Sequence, residues 1–370
     1  MRRFPLVVFL TALLAIGSAL PGSAAAQDYT GTGKKILTRH LDAARDMRPW
    51  DWSPDGTRIL FNRTVLVGFD NIGELWVMDS DGSNKVRLSG ANVRLAFWSP
   101  DGSKILFMVP AGSPGAGPNV FTMNADGTGV APVTLGQESH SDPMWSPDGA
   151  EVALVHRPSG CFPNVCPSNL VVVRLATGAE RQIATDVVGP VYWSPDGSLI
   201  AYGCNLQNGA LRICVSDPYG LSETELVSSA LAYASSPVTS ANSDVWSPDS
   251  SQLLVQCNIV FGDPIGLCRV SRDGSEFQFM GRFFEPDWSP DGSMIAAAGP
   301  VDPVFGQSHD NHSDVFVLGA DGLGVSNITN SQGHDLGPRW APDGETVALG
   351  TGRVRVSGDV LTLVVHQPGA

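Results

Sequence analysis

Four residues in the last quarter of the chain have the side chains of a metal site. They are His309, His312, His334 and Asp335. Imidazole nitrogens and carboxylate oxygens bind transition metals, and a metal held by such groups can polarise a bond or activate water. We expect the two segments to converge if they belong to neighbouring structural units. Their spacing is not distinctive of any metal motif, so solvated loop residues are the alternative interpretation.

A second candidate site consists of charged residues that each stand shortly before a tryptophan. The positive members are Arg48, Arg94 and Arg339, and the negative members are Asp142, Asp244, Glu285 and Asp287. If they line one opening, one arc of it is positive and the other negative, which would orient a dipolar ligand such as a peptide segment or a chain terminus. A register shift of one residue would turn these side chains to the other face of their strands.

The six cysteines fall into three pairs that are close in sequence. The pairs are Cys161 with Cys166, Cys204 with Cys214, and Cys257 with Cys268. Each pair brackets a segment with Gly, Pro or Asn, so disulfides within three loops are expected, bracing a recognition surface or simply stabilising an exported chain. A zinc site is the alternative, but the sequence contains no Cys-x-x-Cys.

The usual motifs of catalysis and cofactor binding do not occur in the sequence. It contains no G-x-S-x-G nucleophile turn, no phosphate-binding glycine loop and no H-E-x-x-H metal helix. The sequence therefore predicts no catalytic nucleophile and no cofactor.

One short motif is repeated along nearly the whole chain. The segment Trp52-Ser53-Pro54-Asp55-Gly56 occurs in seven copies, of which the fifth ends in Ser and the seventh has Ala before its proline. The copies begin at Trp52, Trp98, Trp145, Trp193, Trp246, Trp288 and Trp340. Proline at the second turn position, serine before it and glycine after the aspartate suit a β-turn, so each copy joins two antiparallel strands. The repeat aspartates and tryptophans are therefore expected to be structural.

The residues between the motifs predict three further strands in each unit. After the first motif come β-rich runs at residues 59–61 and 75–78, an Asp81-Gly82 turn and a last run at residues 86–88. Seven units of four short strands predict an all-β, seven-bladed propeller of antiparallel blades. The seventh unit ends after its third strand, and residues 34–38 match the fourth-strand pattern. We therefore expect this N-terminal strand to complete blade seven and remove the open sheet edges.

These residues resemble the TolB-type propeller repeat, whose signature is a W-S-P-D-G turn followed by I-A-F-like and I-Y-V-M-D-like strands. The segment Leu75-Trp76-Val77-Met78-Asp79 is a close instance. TolB itself carries an additional N-terminal α/β domain, for which little sequence precedes the first repeat, so the resemblance is to the repeat family rather than to TolB. Exported polysaccharide lyases with a seven-bladed propeller bind a metal through histidines, and by this resemblance the histidines imply a metal-dependent polysaccharide lyase or hydrolase.

The first 26 residues have the composition of a secretion signal. Arg2 and Arg3 precede an uncharged apolar run that ends in small residues at Ala24-Ala25-Ala26. We expect cleavage after Ala26, a short segment at residues 27–33, and the propeller at residues 34–370. The formal net charge of −14 over 370 residues would repel a phosphate backbone, so nucleic acid is not an expected partner.

Together these features predict an exported, periplasmic or secreted, non-catalytic propeller. It is expected to bind a protein or peptide in the cell envelope or outside the cell. The metal-dependent polysaccharide lyase or hydrolase that uses histidines on one propeller face is the alternative.

Overall fold

The fold is known from a computed structural model of the chain. It describes residues 34–36, 44–67, 70–90, 92–110, 119–134, 138–158, 168–205, 211–226, 233–237, 245–258, 266–300, 312–330, 333–353 and 360–366. The signal sequence, Cys161, Cys166, Asp244 and His309 lie outside these residues. In the described part of the chain, no helix has the length and apolar character needed to cross a bilayer.

The described strands form seven four-stranded antiparallel sheets, here called blades 1 to 7. Blade 1 contains β2 (Ala44–Trp52), β3 (Arg58–Val67), β4 (Asp70–Asp79) and β5 (Val86–Ser89). Blade 2 contains β6 (Leu95–Trp98), β7 (Lys104–Val109), β8 (Asn119–Asn124) and β9 (Ala131–Pro132). Blade 3 contains β10 (Ser139–Trp145), β11 (Glu151–Arg157), β12 (Asn169–Arg174) and β13 (Ala179–Ala184). Blade 4 contains β14 (Val187–Trp193), β15 (Ile200–Asn205), β16 (Leu211–Ser216) and β17 (Glu223–Glu225).

The remaining blades follow the same order, with one exception at the end of the chain. Blade 5 contains β18 (Tyr233–Pro237), β19 (Gln252–Asn258), β20 (Gly266–Ser271) and β21 (Phe277–Gly281). Blade 6 contains β22 (Phe284–Trp288), β23 (Met294–Pro300), β24 (Ser313–Gly319) and β25 (Ser326–Asn327). Blade 7 contains β26 (Asp335–Trp340), β27 (Val347–Arg353), β28 (Val360–His366) and the N-terminal strand β1 (Lys34–Ile36). The prediction of an all-β propeller built of four-stranded antiparallel blades is confirmed.

The N-terminal strand closes the last blade as the sequence predicts. β1 pairs antiparallel with β28, and Lys34 lies opposite His366 while Ile36 lies opposite Val364. The first and last blades also pack together, because Trp52 and Phe61 share a buried cluster with Ala348. The edge that blade 7 would otherwise expose is therefore covered by the other end of the chain.

The repeated motif folds as an SPDG turn, the name used here for the four residues after each repeat tryptophan. In blade 1 the Gly56 amide donates to the Ser53 carbonyl over 2.8 Å, and the Ser53 hydroxyl donates to Asp55 over 2.6 Å. Gly56 has a φ of 68°, a left-handed conformation that glycine adopts without steric cost. Each turn is thus stabilised by its own side chains.

The SPDG turns of neighbouring blades contact one another on one face of the propeller, called the turn face. A methyl group added to Gly102 would lie 3.5 Å from Cδ of Pro54 in the preceding blade. In blade 5 the glycine is replaced by Ser250, which keeps a φ of 61° and accepts a 3.0 Å hydrogen bond from the Asp196 amide of blade 4. The Ser250 hydroxyl therefore makes a hydrogen bond between blades that a glycine at this position could not make.

The repeat tryptophans connect the blades and surround the centre. Trp246 Nε1 donates to the Tyr192 carbonyl of blade 4, and Trp52 Nε1 donates to the Arg339 carbonyl of blade 7. A central cavity of about 450 Å³ on the turn face is lined mainly by tryptophans and prolines of the motif. The first strand of each blade therefore lies nearest the axis, and the hydrophobic core lies between adjacent blades.

Two of the predicted cysteine pairs are disulfides in the structure. Cys204 bonds Cys214 and Cys257 bonds Cys268, with Cα atoms 5.8 and 5.9 Å apart. The cysteines lie within paired strands and are buried in the core, so these bridges are not part of exposed loops. Each bond ties the second strand of a blade to the third, which changes the predicted role from bracing a surface to bracing the sheet.

The aspartates of the SPDG turns make the free energy of unfolding depend on pH in the acid range. Hydrogen bonds from Ser53 and Thr57 lower the pKa of Asp55 to about 2, and those from Ser99 and Ser103 lower the pKa of Asp101 to about 2. An unfolded aspartate has a pKa of about 3.9. The stabilisation is therefore fully present above that value and is lost as the pH falls towards 2.

We predict that Asp101→Asn is less stable than the parent at pH 7 and equally stable near pH 2. The measurement is the free energy of urea unfolding across this pH range. The control is Glu180→Gln, which changes an exposed carboxylate outside the turns. A stability difference for Asp101→Asn that does not shrink as the pH falls would contradict this role of the aspartate.

Candidate metal centre and charged channel

The face opposite the SPDG turns, called the loop face, is where the first strand of each blade begins. Several of these strands contain a β-bulge, and in three blades the residue three places before the tryptophan has a positive φ. It is 52° at Asp142, 50° at Glu285 and 59° at Gly337. A bulge redirects side chains and shifts the pairing register by one residue. The positions of the bulges therefore determine which side chains of the first strands lie next to one another near the axis.

In blade 3 the shifted register brings two histidines together at the loop face. His140 on β10 lies opposite His156 on β11, and the strand pairing is displaced between Ser141 and Met144. The two imidazole rings stack with centroids 5.0 Å apart and planes inclined by 14°. Glu138, just before β10, places Oε2 at 2.6 Å from His156 Nε2. One ligand atom from each of the three residues lies within 4.8 Å of the other two.

The cluster has the electrostatic properties that a transition metal requires. His140 is buried, with 3% of its surface exposed. Burial lowers the pKa of His140, the His156 ring lowers it further, and only the Glu138 interactions oppose this. His140 is therefore neutral at pH 7, the form in which imidazole binds a metal. Its buried Nδ1 has no hydrogen-bond partner among the described residues.

Two imidazoles and one carboxylate are a recognised donor set for divalent metals. They suit Zn²⁺ in hydrolytic sites and other first-row metals in sites that keep open positions for substrate or water. The residues therefore fit a divalent metal by their chemistry, their neutrality and the unpartnered nitrogen.

The histidines that the sequence singled out lie elsewhere on the same face. His334 Nδ1 is 3.1 Å from the Ser313 hydroxyl, which links the start of β26 in blade 7 to the start of β24 in blade 6. His312 immediately precedes Ser313, and Asp335 is fully buried. Among the described residues, none of these three belongs to a group with three converging ligand atoms. With His309 outside the described residues, their joint metal site stays a prediction.

Four of the seven predicted channel charges form two ion pairs between blades. Arg48 Nη1 of blade 1 lies 3.3 Å from Glu285 Oε1 of blade 6. Glu285 Oε2 also accepts the amide hydrogen of Gly337, whose positive φ of 59° favours glycine. Arg339 Nη1 lies 3.6 Å from Asp287 Oδ1, and both side chains are almost fully buried. Each of these arginines thus has a carboxylate partner on blade 6, and the predicted binding of a dipolar ligand at this opening stays a prediction.

Of the remaining channel residues, the structure describes Arg94 and Asp142. Arg94 is exposed, and Asp244 lies outside the described residues. Asp142 is half-buried, and burial raises its pKa. It lies on the bulge of β10, two residues after His140 in the chain.

The chain carries TolB-type propeller repeats. Residues 47–229 match the family model "PD40: TolB beta propeller domain". The resemblance inferred from the repeated motif is confirmed by this match. No curated protein sequence matches the chain.

Several solved structures share the fold over most of their length. A structure described as an oligogalacturonate lyase in complex with manganese is 15% identical, with a TM-score of 0.65, covering 92% of this chain and 95% of that one. An oligogalacturonate lyase from Vibrio parahaemolyticus is 13% identical, with a TM-score of 0.64 and coverage of 90% and 93%. The β-propeller domain of the Trilobed protease from Pyrococcus furiosus is 12% identical, with a TM-score of 0.61 and coverage of 89% and 94%.

The prediction that the chain is not an enzyme is wrong in its reasoning. It rested on the lack of the usual motifs of catalysis and cofactor binding in the sequence. The two lyase chains are similar to this chain over more than nine-tenths of their own length. Structures described as enzymes therefore share this fold, so missing sequence motifs do not make the chain a non-enzyme.

The two channel ion pairs are expected to differ in their contribution to stability. Arg339→Met leaves the buried Asp287 carboxylate without its cation and should lower the free energy of unfolding by about 3–5 kcal/mol. Arg48→Met breaks a pair that is partly open to solvent and should cost about 0–1 kcal/mol. Urea unfolding of both variants measures the difference. Equal losses would show that burial does not distinguish the pairs.

Proposed function

We propose that the protein is an exported, metal-dependent enzyme that cleaves a polysaccharide, as a lyase or a hydrolase. Glu138, His140 and His156 are the proposed metal ligands. The observation that carries the proposal is the convergence of these three side chains on the loop face of blade 3. The proposal keeps the histidine-based chemistry inferred from the sequence and assigns it to a different group of residues.

The composition of the cluster favours catalysis over a purely structural metal. Structural zinc sites usually have four protein ligands, whereas catalytic sites have three and leave a position for water or substrate. His156 and Glu138 are partly exposed, so the open side of the cluster faces solvent. A bound divalent metal would supply a Lewis acid for a substrate oxygen or an activated water.

The choice of substrate class is supported by the fold comparisons. Two of the structures that share the fold are described as oligogalacturonate lyases, one of them in complex with manganese. Oligogalacturonate is therefore the first substrate to test, and Mn²⁺ and Zn²⁺ are the first metals. The low identities support only the fold, so the argument for chemistry rests on the residues of this chain.

Export is supported by the two buried disulfides. Such bonds persist in oxidising compartments and are rare in a reducing cytosol. Together with the signal-like first 26 residues, they favour a periplasmic or secreted protein.

The test is the metal content and saccharide cleavage of the purified chain. We expect about one equivalent of Mn²⁺ or Zn²⁺ after loading and dialysis, and we expect His140→Ala to lose it together with at least about a hundredfold of the activity. Released reducing ends report cleavage, and ultraviolet absorbance of an unsaturated product separates a lyase from a hydrolase.

The matched control is His334→Ala, which removes a histidine from the same face but from outside the cluster. It should retain both metal and activity, and circular dichroism should show that both variants fold. Metal that remains bound to folded His140→Ala would overturn the assignment of the ligands. Loss of metal from His334→Ala alone would favour the group that includes His312 and Asp335.

A further inference from the structure

A second concave site lies on the turn face, away from the histidine cluster. It is a cavity of about 590 Å³ between the SPDG turns of blades 2 and 3. Its lining includes Lys104, Trp145, Arg174 and Glu151, and Tyr219 extends to it from blade 4. Tyr219 belongs to the turn between β16 and β17 and is 65% exposed.

Tyr219 stands where most blades with this turn have an aspartate, and blade 3 has Thr177, whose hydroxyl accepts the Ala179 amide. In four blades the equivalent turn residue is an aspartate whose carboxylate accepts the backbone amide two residues later. These aspartates are Asp81, Asp126, Asp273 and Asp321. In blade 4 this capping is done by Asp217, which accepts the amides of Tyr219 and Ser222. The tyrosine side chain therefore has no part in forming its turn.

The tyrosine ring is nevertheless held in place. The Arg181 guanidinium lies over one face, 5.0 Å from the ring centroid. Arg181 is itself fixed, because it donates two hydrogen bonds to Glu151, of 2.8 and 2.6 Å, and one of 2.8 Å to the Pro218 carbonyl. An exposed aromatic ring that is already ordered loses little conformational entropy when it binds a ligand.

The cavity contains both carboxylates and cationic side chains, and the carboxylates are engaged with their own neighbours. Asp101 and Asp148 accept hydrogen bonds within their own turns, and Glu151 accepts from Arg174 and Arg181. Lys104 is exposed and makes only a long 3.4 Å hydrogen bond with Asn124 among those described. An aromatic face beside ammonium and guanidinium donors matches a sugar ring, which has an apolar C–H face and a rim of oxygen atoms.

We propose that this cavity is an oligosaccharide-binding site separate from the metal centre. Tyr219 would stack on a sugar ring while Lys104 and Arg174 donate to its oxygens. The choice of a saccharide as ligand rests on the proposed function, whereas the site itself rests on the replaced turn aspartate and the ordered ring. Such a site would keep a polysaccharide attached to the face opposite the one proposed to cleave it.

The test is calorimetric binding of oligogalacturonate and of cello-oligosaccharide to the full chain in the His140→Ala background with EDTA present. Binding at the metal centre is thereby removed. We expect Tyr219→Ala to weaken binding about tenfold and Tyr219→Phe to retain it, because the ring and not the hydroxyl makes the stacking contact. Lys104→Ala should weaken binding of the acidic oligosaccharide more than that of the neutral one.

Binding that is unchanged in Tyr219→Ala would overturn the proposal, and so would the absence of binding for both saccharides. The second result would be expected if the exposed ring contacts a protein partner instead. Because the assay needs no metal and no turnover, a chain without metal or activity would refute the proposed enzyme while leaving this site open to its own test.

Discussion

The whole structure depends on packing between blades that are not stable alone. Each sheet has four short strands, and its apolar faces are buried only when the next sheet lies against them. Four of the motif tryptophans donate an Nε1 hydrogen bond to the preceding blade, and the SPDG turns lie beside those of the preceding blade, so both features link neighbouring blades. The same requirement explains why the N-terminal strand must complete the last blade.

The blades differ in sequence mainly at positions that the repeated motif does not constrain. On the loop face, bulges in the first strands redirect side chains, which pairs Arg48 with Glu285 and stacks His140 on His156. On the turn face, the replacement of a capping aspartate by Tyr219 frees one side chain from the turn. Both candidate sites are therefore local departures from the repeat on an otherwise regular ring.

The sequence predicts the parts of the molecule that depend on local rules. The turn chemistry predicts the strands, and the missing fourth strand of the last unit predicts the pairing of β1 with β28. The spacing of the cysteines predicts the Cys204–Cys214 and Cys257–Cys268 bonds. It does not predict the histidine cluster, because the regular hairpin register set by Trp145 and Val152 would not place His140 opposite His156 without the bulge. It also misses the ion pair between Arg48 of blade 1 and Glu285 of blade 6 and the one between Arg339 of blade 7 and Asp287 of blade 6. These are long-range consequences of backbone irregularities.

The most direct measurement of the central claim is an anomalous difference map from crystals of the full chain grown with Mn²⁺. The account predicts one strong peak within bonding distance of Glu138, His140 and His156, at the start of β10 and the end of β11. A peak at His334 and Asp335 instead, or well-ordered cluster residues without any peak at saturating Mn²⁺, would contradict it.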